Sequence, residues 1–363
     1  MINVENFLSN AVLPLKAYTP GEQPKKGSWI KLNTNEMPYS PSPKVKSAII
    51  KTLGNSDVLR LYPNPESTPL REVVAKYYGL KAKNAIAGNG SDDILNIVIR
   101  AFSDSKKSVG AMNPSYTLYP VLTQMQGSKI SYFDYNKDLS LPVEKICKSK
   151  VNLFILTNPN APMGFASRYA EIQTLAKNFK GILLVDEAYA PFSEYSCAPL
   201  VKKFDNVIVC STSSKGWALA GMRAGWAIAN EKIISLLDRV RDSYNLDVLA
   251  QAAAVAALED KAYYKNLFAK VIATRTDLEI FFTELNWRFY KSSSNFILVK
   301  AKNKKGEESP KIAASLFEYL KSKKILVRYF PSYKEINSSL RISIGTDAQM
   351  SVFKKEIKNW LKK

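Results

Sequence analysis

Lys215 follows four small or hydroxyl residues, Ser211 to Ser214, which close an apolar β-branched run from Val207 to Val209. Eight residues further on, Arg223 sits in a Gly-Met-Arg-Ala-Gly turn, where Gly221 and Gly225 let backbone approach a ligand closely. Hydroxyls, an amine and a guanidinium around one glycine-lightened turn could hold a dianionic phosphate beside a reactive carbonyl. The same side chains on a plain surface loop would do no chemistry, so the rest of the chain has to decide. The chain contains no histidine, which removes Ser-His and Cys-His nucleophile pairs and His-based zinc sites. Proton movement near neutral pH then falls to a Lys, a Tyr or a carboxylate with a shifted pKa.

The elements around these residues could bring them together. The strand-like run Ile182 to Val185 ends at Asp186, with Tyr189 just beyond, and Val207 to Val209 leads to Lys215; a parallel sheet would put both at one rim. Further strands are expected near Lys129 to Phe133 and from Val151 to Leu156, with helices near Val143 to Lys148 and from Glu171 to Lys180. This alternation argues an α/β fold with helices on both faces of a parallel sheet. In AIAGNGSDDILNIVIRAF, Ile94, Leu95, Val98, Ile99 and Phe102 recur at helical spacing. Ser91 or Asp92 then caps a helix whose free N–H groups face the Gly88-Asn-Gly90 loop, a ready phosphate site. Helices are also expected over Pro43 to Thr52 and Thr68 to Tyr78, and a long one from Ala262 to Phe282 leads into a smaller C-terminal lobe. There SSSNFILVK, ILVRYF and LRISIGT supply strands. Arg328 and Arg341 lie beside these apolar segments, where an unpaired guanidinium is costly; they are either structural ion pairs or a grip on an anion. SYNLDVLAQAAAVAAL reads as a helix whose alanines allow close packing, and FKKEIKNWLKK as a terminal amphipathic helix.

Asp186-Glu-Ala-Tyr189, the Ser211 to Lys215 run and Gly221-Met-Arg223-Ala-Gly225 together resemble the fold-type-I pyridoxal-phosphate-dependent aminotransferases, and the flanking segments are similar to the histidinol-phosphate aminotransferases. The resemblance runs from about Tyr18 to Thr346. It implies a large domain with a mostly parallel sheet sandwiched by helices, plus a smaller α/β domain, divided as 1–40, 41–262 and 263–363. By the same resemblance Lys215 holds pyridoxal 5'-phosphate as an imine and moves a proton, Asp186 keeps the pyridine nitrogen protonated, and Tyr116 stacks on the ring. Gly90, Ser91, Asp92, Thr212, Ser214 and Arg223 bind its phosphate, with Tyr62 entering from the partner of a homodimer. Tyr18, Asn35, Arg328 and Arg341 meet the substrate, with Tyr244 and Asn245 close by. The implied reaction exchanges histidinol phosphate and 2-oxoglutarate for the keto phosphate and glutamate. The alternatives within the class are an aromatic amino-acid transaminase and a threonine-phosphate decarboxylase.

Two departures from the family pattern carry chemical interest. Met37 stands where the family usually has Asn, and Asn158-Pro-Asn160-Ala-Pro-Met-Gly164 has Ala161 and Met163 where Asn and Thr are usual. An amide donor to the cofactor's phenolic oxygen is therefore absent or displaced, leaving Tyr189 alone or Asn160 reaching in.

The chain's 363 residues suit two domains, or one large domain with a smaller lobe. No apolar run reaches membrane-spanning length, and the N-terminus lacks the basic and apolar regions of a secretory signal. Cys147, Cys197 and Cys210 are odd in number and lack metal-ligand spacing; buried thiols in a reducing cytoplasm are expected, and no metal. The net charge of +20 comes from 41 Lys and 11 Arg scattered along the chain. A basic solvated surface is the expectation, with no membrane or nucleic-acid partner; a nucleic-acid-binding protein on the same fold is the alternative from another class.

Overall fold

The computed structural model describes residues 2, 4–15, 21–24 and 27–362. Tyr18 lies outside the described residues. In chain order the strands are β1 (Ile30–Leu32), β2 (Ala85–Gly88), β3 (Val109–Asn113), β4 (Ile130–Asp134), β5 (Leu153–Thr157), β6 (Ile182–Asp186), β7 (Val207–Thr212), β8 (Gly225–Ala229), β9 (Arg288–Phe289), β10 (Phe296–Lys300), β11 (Ile325–Tyr329) and β12 (Ser339–Ser343).

Strands β2 to β8 form one sheet in the order β2-β8-β7-β6-β5-β3-β4. Only β8 runs against its neighbours, and every other pairing is parallel. Successive side chains along a strand point to opposite faces, and here both faces are buried. Leu183, Val185, Val207 and Val209 enter one core, while Leu184, Ile208 and Cys210 enter another. Helices Thr68–Tyr78, Tyr169–Asn178 and Val248–Glu259 cover the first face; Ser91–Phe102, Leu118–Met125 and Glu231–Asp238 cover the second. Double burial is why these strands read as unbroken apolar runs. The helix expected over residues 171–180 is shifted toward the N-terminus. Tyr169 begins it and Phe179 leaves it in an extended conformation to fill the core. Five of the six alanines of Val248–Glu259 are buried, and helix Pro43–Leu53 lies against that helix.

The smaller sheet has the order β1-β11-β12-β10-β9. β1 joins it in parallel with β11, Ile30 opposite Ile325, while the other pairings are antiparallel. Helices Lys261–Glu284, Pro310–Ser322 and Asp347–Leu361 share its core through Phe282, Leu320 and Phe353. Because β1 precedes the large sheet in sequence, residues 33–36 leave the smaller sheet and run along the cleft between the two.

Candidate active site

The C-terminal ends of the parallel strands make one rim. Thr157 pairs with Asp186 and Asp186 with Cys210; Thr212 pairs with Gly225, and Gly225 with Gly88. A cleft of about 270 Å³ lies between this rim and the smaller sheet, and Asp186, Tyr189, Lys215, Arg223, Arg328 and Arg341 all line it.

At one end, helix Ser91–Phe102 begins after Gly90, which takes the N-cap position with φ of 84° and leaves the helix start without a side-chain cap. Ser91 and Asp92, the residues expected to cap, stand in the first turn and line the cleft instead. The reason is the tight approach of two backbones: a Cβ on Gly225 would fall 2.4 Å from the Gly90 carbonyl carbon. Gly90 itself shapes the turn, with the Arg223 guanidinium packed where its Cβ would be. Arg223 donates to Ser214 Oγ at 3.3 Å and pairs with Asp92 at 3.4 Å. Thr212 Oγ1 donates to Ser214 Oγ at 3.0 Å. Uncapped N–H groups, two hydroxyls and a guanidinium converge on a place for a dianion.

In the middle, Lys215 Nζ donates to the Thr34 carbonyl at 2.9 Å. Burial lowers its pKa to about 8, with the positive Arg341 pushing the same way and Glu36 and Asp92 opposing. Asp186 is buried, and burial holds its carboxyl above the usual range; the Tyr119 hydroxyl, donating at 2.7 Å, works against that rise. Among the described residues no Lys or Arg pairs with Asp186, so a cation presented from the cleft would complete its surroundings. Tyr119 escaped the sequence reading because it lies within an apolar helix stripe; its only signal is a hydroxyl placed one turn after Tyr116. Tyr116 lines the cleft with its hydroxyl 3.3 Å from Asp92 Oδ1. Tyr189 also lines it, and accepts a hydrogen bond from Asn35 Nδ2 at 2.9 Å.

At the far end, Arg328 and Arg341 face each other across β11 and β12. Their guanidiniums sit 5.5 and 5.4 Å from the centre of the Phe330 ring, and Arg341 lies 5.0 Å from that of Phe296. Arg341 also donates to the Asn33 carbonyl at 3.2 Å.

Asn160 and Tyr62 do not line this chain's own cleft. Asn160 is 1% exposed, donates to the Pro114 carbonyl and Tyr135 hydroxyl, both at 3.1 Å, and accepts from Met163 N. Its amide holds the loop together, and Ala161 and Pro162 are the loop residues that line the cleft. Tyr62 is 80% exposed and stacked on Tyr244 with ring centroids 4.4 Å apart, outside the chain's own cleft. Asn245 donates to the Ala87 carbonyl and Asp93. Tyr244 and Asn245 therefore do not stand near the substrate end of this chain's cleft as expected. Asn35 lines the cleft, but its side chain is turned to Tyr189 and Ser343.

Comparison with known proteins gives the family and the fold. The pattern of the family "Aminotransferase class I and II" matches residues 27–357. The chain is 41% identical over 352 residues to the histidinol-phosphate aminotransferase of Geotalea daltonii, covering 96% of this chain and 97% of the relative. It is 43% identical over 339 residues to that of Synechocystis sp., covering 92% of each. The fold matches the crystal structure of histidinol-phosphate aminotransferase from Sinorhizobium meliloti in complex with pyridoxal-5'-phosphate, with a TM-score of 0.83 at 24% identity over 92% of this chain and 90% of the other. The architecture is that of the fold-type-I pyridoxal-phosphate enzymes, and the chain belongs to the class I and II aminotransferases, beside relatives that are histidinol-phosphate aminotransferases.

Proposed function

We propose that this protein is a pyridoxal-phosphate-dependent transaminase that exchanges the amino group of histidinol phosphate with 2-oxoglutarate, giving the imidazole keto phosphate and glutamate. The observation that carries this is the position of Lys215 in one cleft, with an anion cradle at one end and paired arginines at the other. The cofactor, when bound, supplies an electron sink for charge developing at the substrate carbon. Lys215, with its amine eased toward neutrality, releases and recovers a proton at Nζ. Asp186, buried and without a cationic partner among the described residues, suits a protonated ring nitrogen. Ser91, Thr212, Ser214 and Arg223 suit the cofactor phosphate, and Tyr116 and Tyr189 suit contacts with its ring and phenolic oxygen.

Two guanidiniums on facing residues that both line the cleft give the forked donor sets that suit a phosphate dianion. This favours a substrate ending in phosphate over one with a single carboxylate. We assign Arg328 and Arg341 to that phosphate, divide the chain at 1–40, 41–262 and 263–363, and infer a homodimer in which Tyr62 reaches the partner's cleft. Three unpaired cysteines suit a reducing, cytoplasmic setting. The test is transamination of histidinol phosphate with 2-oxoglutarate, run beside phenylalanine and tyrosine as amino donors. Strong preference for histidinol phosphate is expected, and Arg328→Ala should depress that reaction far more than the one with glutamate. Preference for the aromatic amino acids, or equal losses for both substrates, overturns the substrate assignment while leaving the cofactor chemistry.

A further inference from the structure

Asn35 has almost no hydrogen-bonding capacity left for a ligand. Its backbone N–H donates to Ser343 Oγ at 2.9 Å, its carbonyl accepts from Asn295 Nδ2 at 2.9 Å, and its Oδ1 accepts from Ser343 Oγ at 2.8 Å. The residue is 1% exposed and held at φ of 58°, a left-handed conformation that Asn tolerates better than most residues. These contacts fix which way the amide faces. The single Ser343 proton goes to Oδ1, because Ser343 Oγ already accepts the Asn35 N–H. Nδ2 is then the donor, and it meets the Tyr189 hydroxyl oxygen at 2.9 Å. Tyr189 has one proton of its own, and no acceptor for it occurs among the described residues. With the oxygen occupied from the Asn35 side, that proton is directed into the cleft that Tyr189 lines.

We propose that Asn35, locked by Ser343, is a positioning residue that makes Tyr189 an obligate donor into the cleft. Resting on the cofactor reading above, this arrangement answers the loss of the amide at Ala161. Asn160 is committed to Pro114, Tyr135 and Met163, so Tyr189 stands as the donor to the cofactor's phenolic oxygen, and the smaller sheet sets its direction through Asn35. With the cofactor bound, a hydrogen bond from Tyr189 to that oxygen would draw charge from it and would lower the pH at which Lys215 Nζ gives up its proton.

The experiment is a pH titration of the visible absorption band of the holoenzyme. Asn35→Asp keeps the side chain's shape but offers only acceptors, so it takes the Tyr189 proton and turns it from the cleft. The titration midpoint should rise by roughly one pH unit, in the same direction as in Tyr189→Phe, and the double variant should rise no further than Tyr189→Phe alone. Ser343→Ala, which releases the amide, should shift the midpoint the same way by less, and it carries the decision if Asn35→Asp does not fold. An unchanged midpoint in the variants that fold, or additivity between Asn35→Asp and Tyr189→Phe, overturns the proposal alone. A wild-type protein with no visible band, or a pH-dependent transition of that band that is unchanged in Lys215→Ala, overturns the cofactor reading and this proposal with it.

Discussion

Lys215 reaches its cleft with an amine far less basic than an ordinary lysine. At a pKa of about 8, about a tenth of the molecules carry a neutral amine at pH 7, against roughly one in three thousand at the ordinary value. The cofactor-free protein should therefore capture pyridoxal phosphate at a rate that rises with pH to a midpoint near 8, as followed by stopped-flow absorbance. Arg341 is the largest charge-based contributor to the depression, after burial itself. Arg341→Met should move the midpoint upward, and a midpoint that stays put would leave the effect to burial and Arg223. The linkage has a definite sign. A folded-state pKa below the unfolded one means stability is present at high pH and lost as pH falls from the unfolded value toward about 8. Lys215→Ala should abolish turnover with the fold intact, and retention of more than about a tenth of wild-type turnover would remove Lys215 from its assigned role.

The end of β6 places consecutive carboxyl groups on opposite faces of the sheet. Asp186 follows the side taken by Leu184 and meets Tyr119, whereas Glu187 follows Val185 and turns away from the cleft. Glu187 accepts from the Ser196 hydroxyl at 2.6 Å and from the Cys197 N–H, fixing the loop after the strand. Burial raises its carboxyl to about 7, against these bonds. A raised folded-state pKa stabilises below the unfolded value near 4.5, and that stability fades as pH rises through 7, by on the order of 3 kcal/mol. With no histidine in the chain, few other groups titrate in this window. Urea unfolding of Glu187→Gln on either side of the window should show a smaller loss with rising pH than the wild type; identical losses would mean that Glu187 titrates normally. Part of this arrangement was legible in the sequence. Apolar runs and helical spacing located β6, β7 and helix Ser91–Phe102, and from them the rim carrying Asp186 and Lys215 and the helix start proposed to hold phosphate. The neighbours that tune the rim were not legible. Tyr119 hides in an apolar stripe, and the Asn35–Ser343 bond joins residues 308 positions apart through the pairing of β1, β11 and β12. Ala161 was visible as a departure, but Asn160's commitment to Tyr135 depends on loop geometry that no periodicity encodes.

For the molecule as a whole, the stack on Tyr244 leaves the stretch around Tyr62 largely uncovered. Leu59, Leu61 and Tyr62 are 70%, 54% and 80% exposed, and Ile50 and Leu53 on the preceding helix are exposed as well. Water is a poor neighbour for such a run, whereas a second copy would cover it and bring in the Tyr62 hydroxyl. The two contributions separate by mutation. Tyr62→Phe should leave a dimer in sedimentation but weaken cofactor retention about tenfold or more, the value of a hydrogen bond to a charged group. Leu59→Glu combined with Leu61→Glu should yield monomers that lose the cofactor on dilution. A wild-type monomer that keeps its cofactor through dialysis would end the dimer reading. Charge adds an independent signature. Each copy carries +20, so two copies meeting through an apolar patch repel at long range, and salt screens that repulsion. Raising salt should tighten the dimer. Binding to nucleic acid, the other use for so basic a surface, would weaken steeply along the same axis through counterion release. One salt series, read by sedimentation with and without duplex DNA, therefore discriminates the interface from the surface charge. An association that falls with salt in the absence of DNA would show charged contacts, not Leu59 and Leu61, holding the copies together.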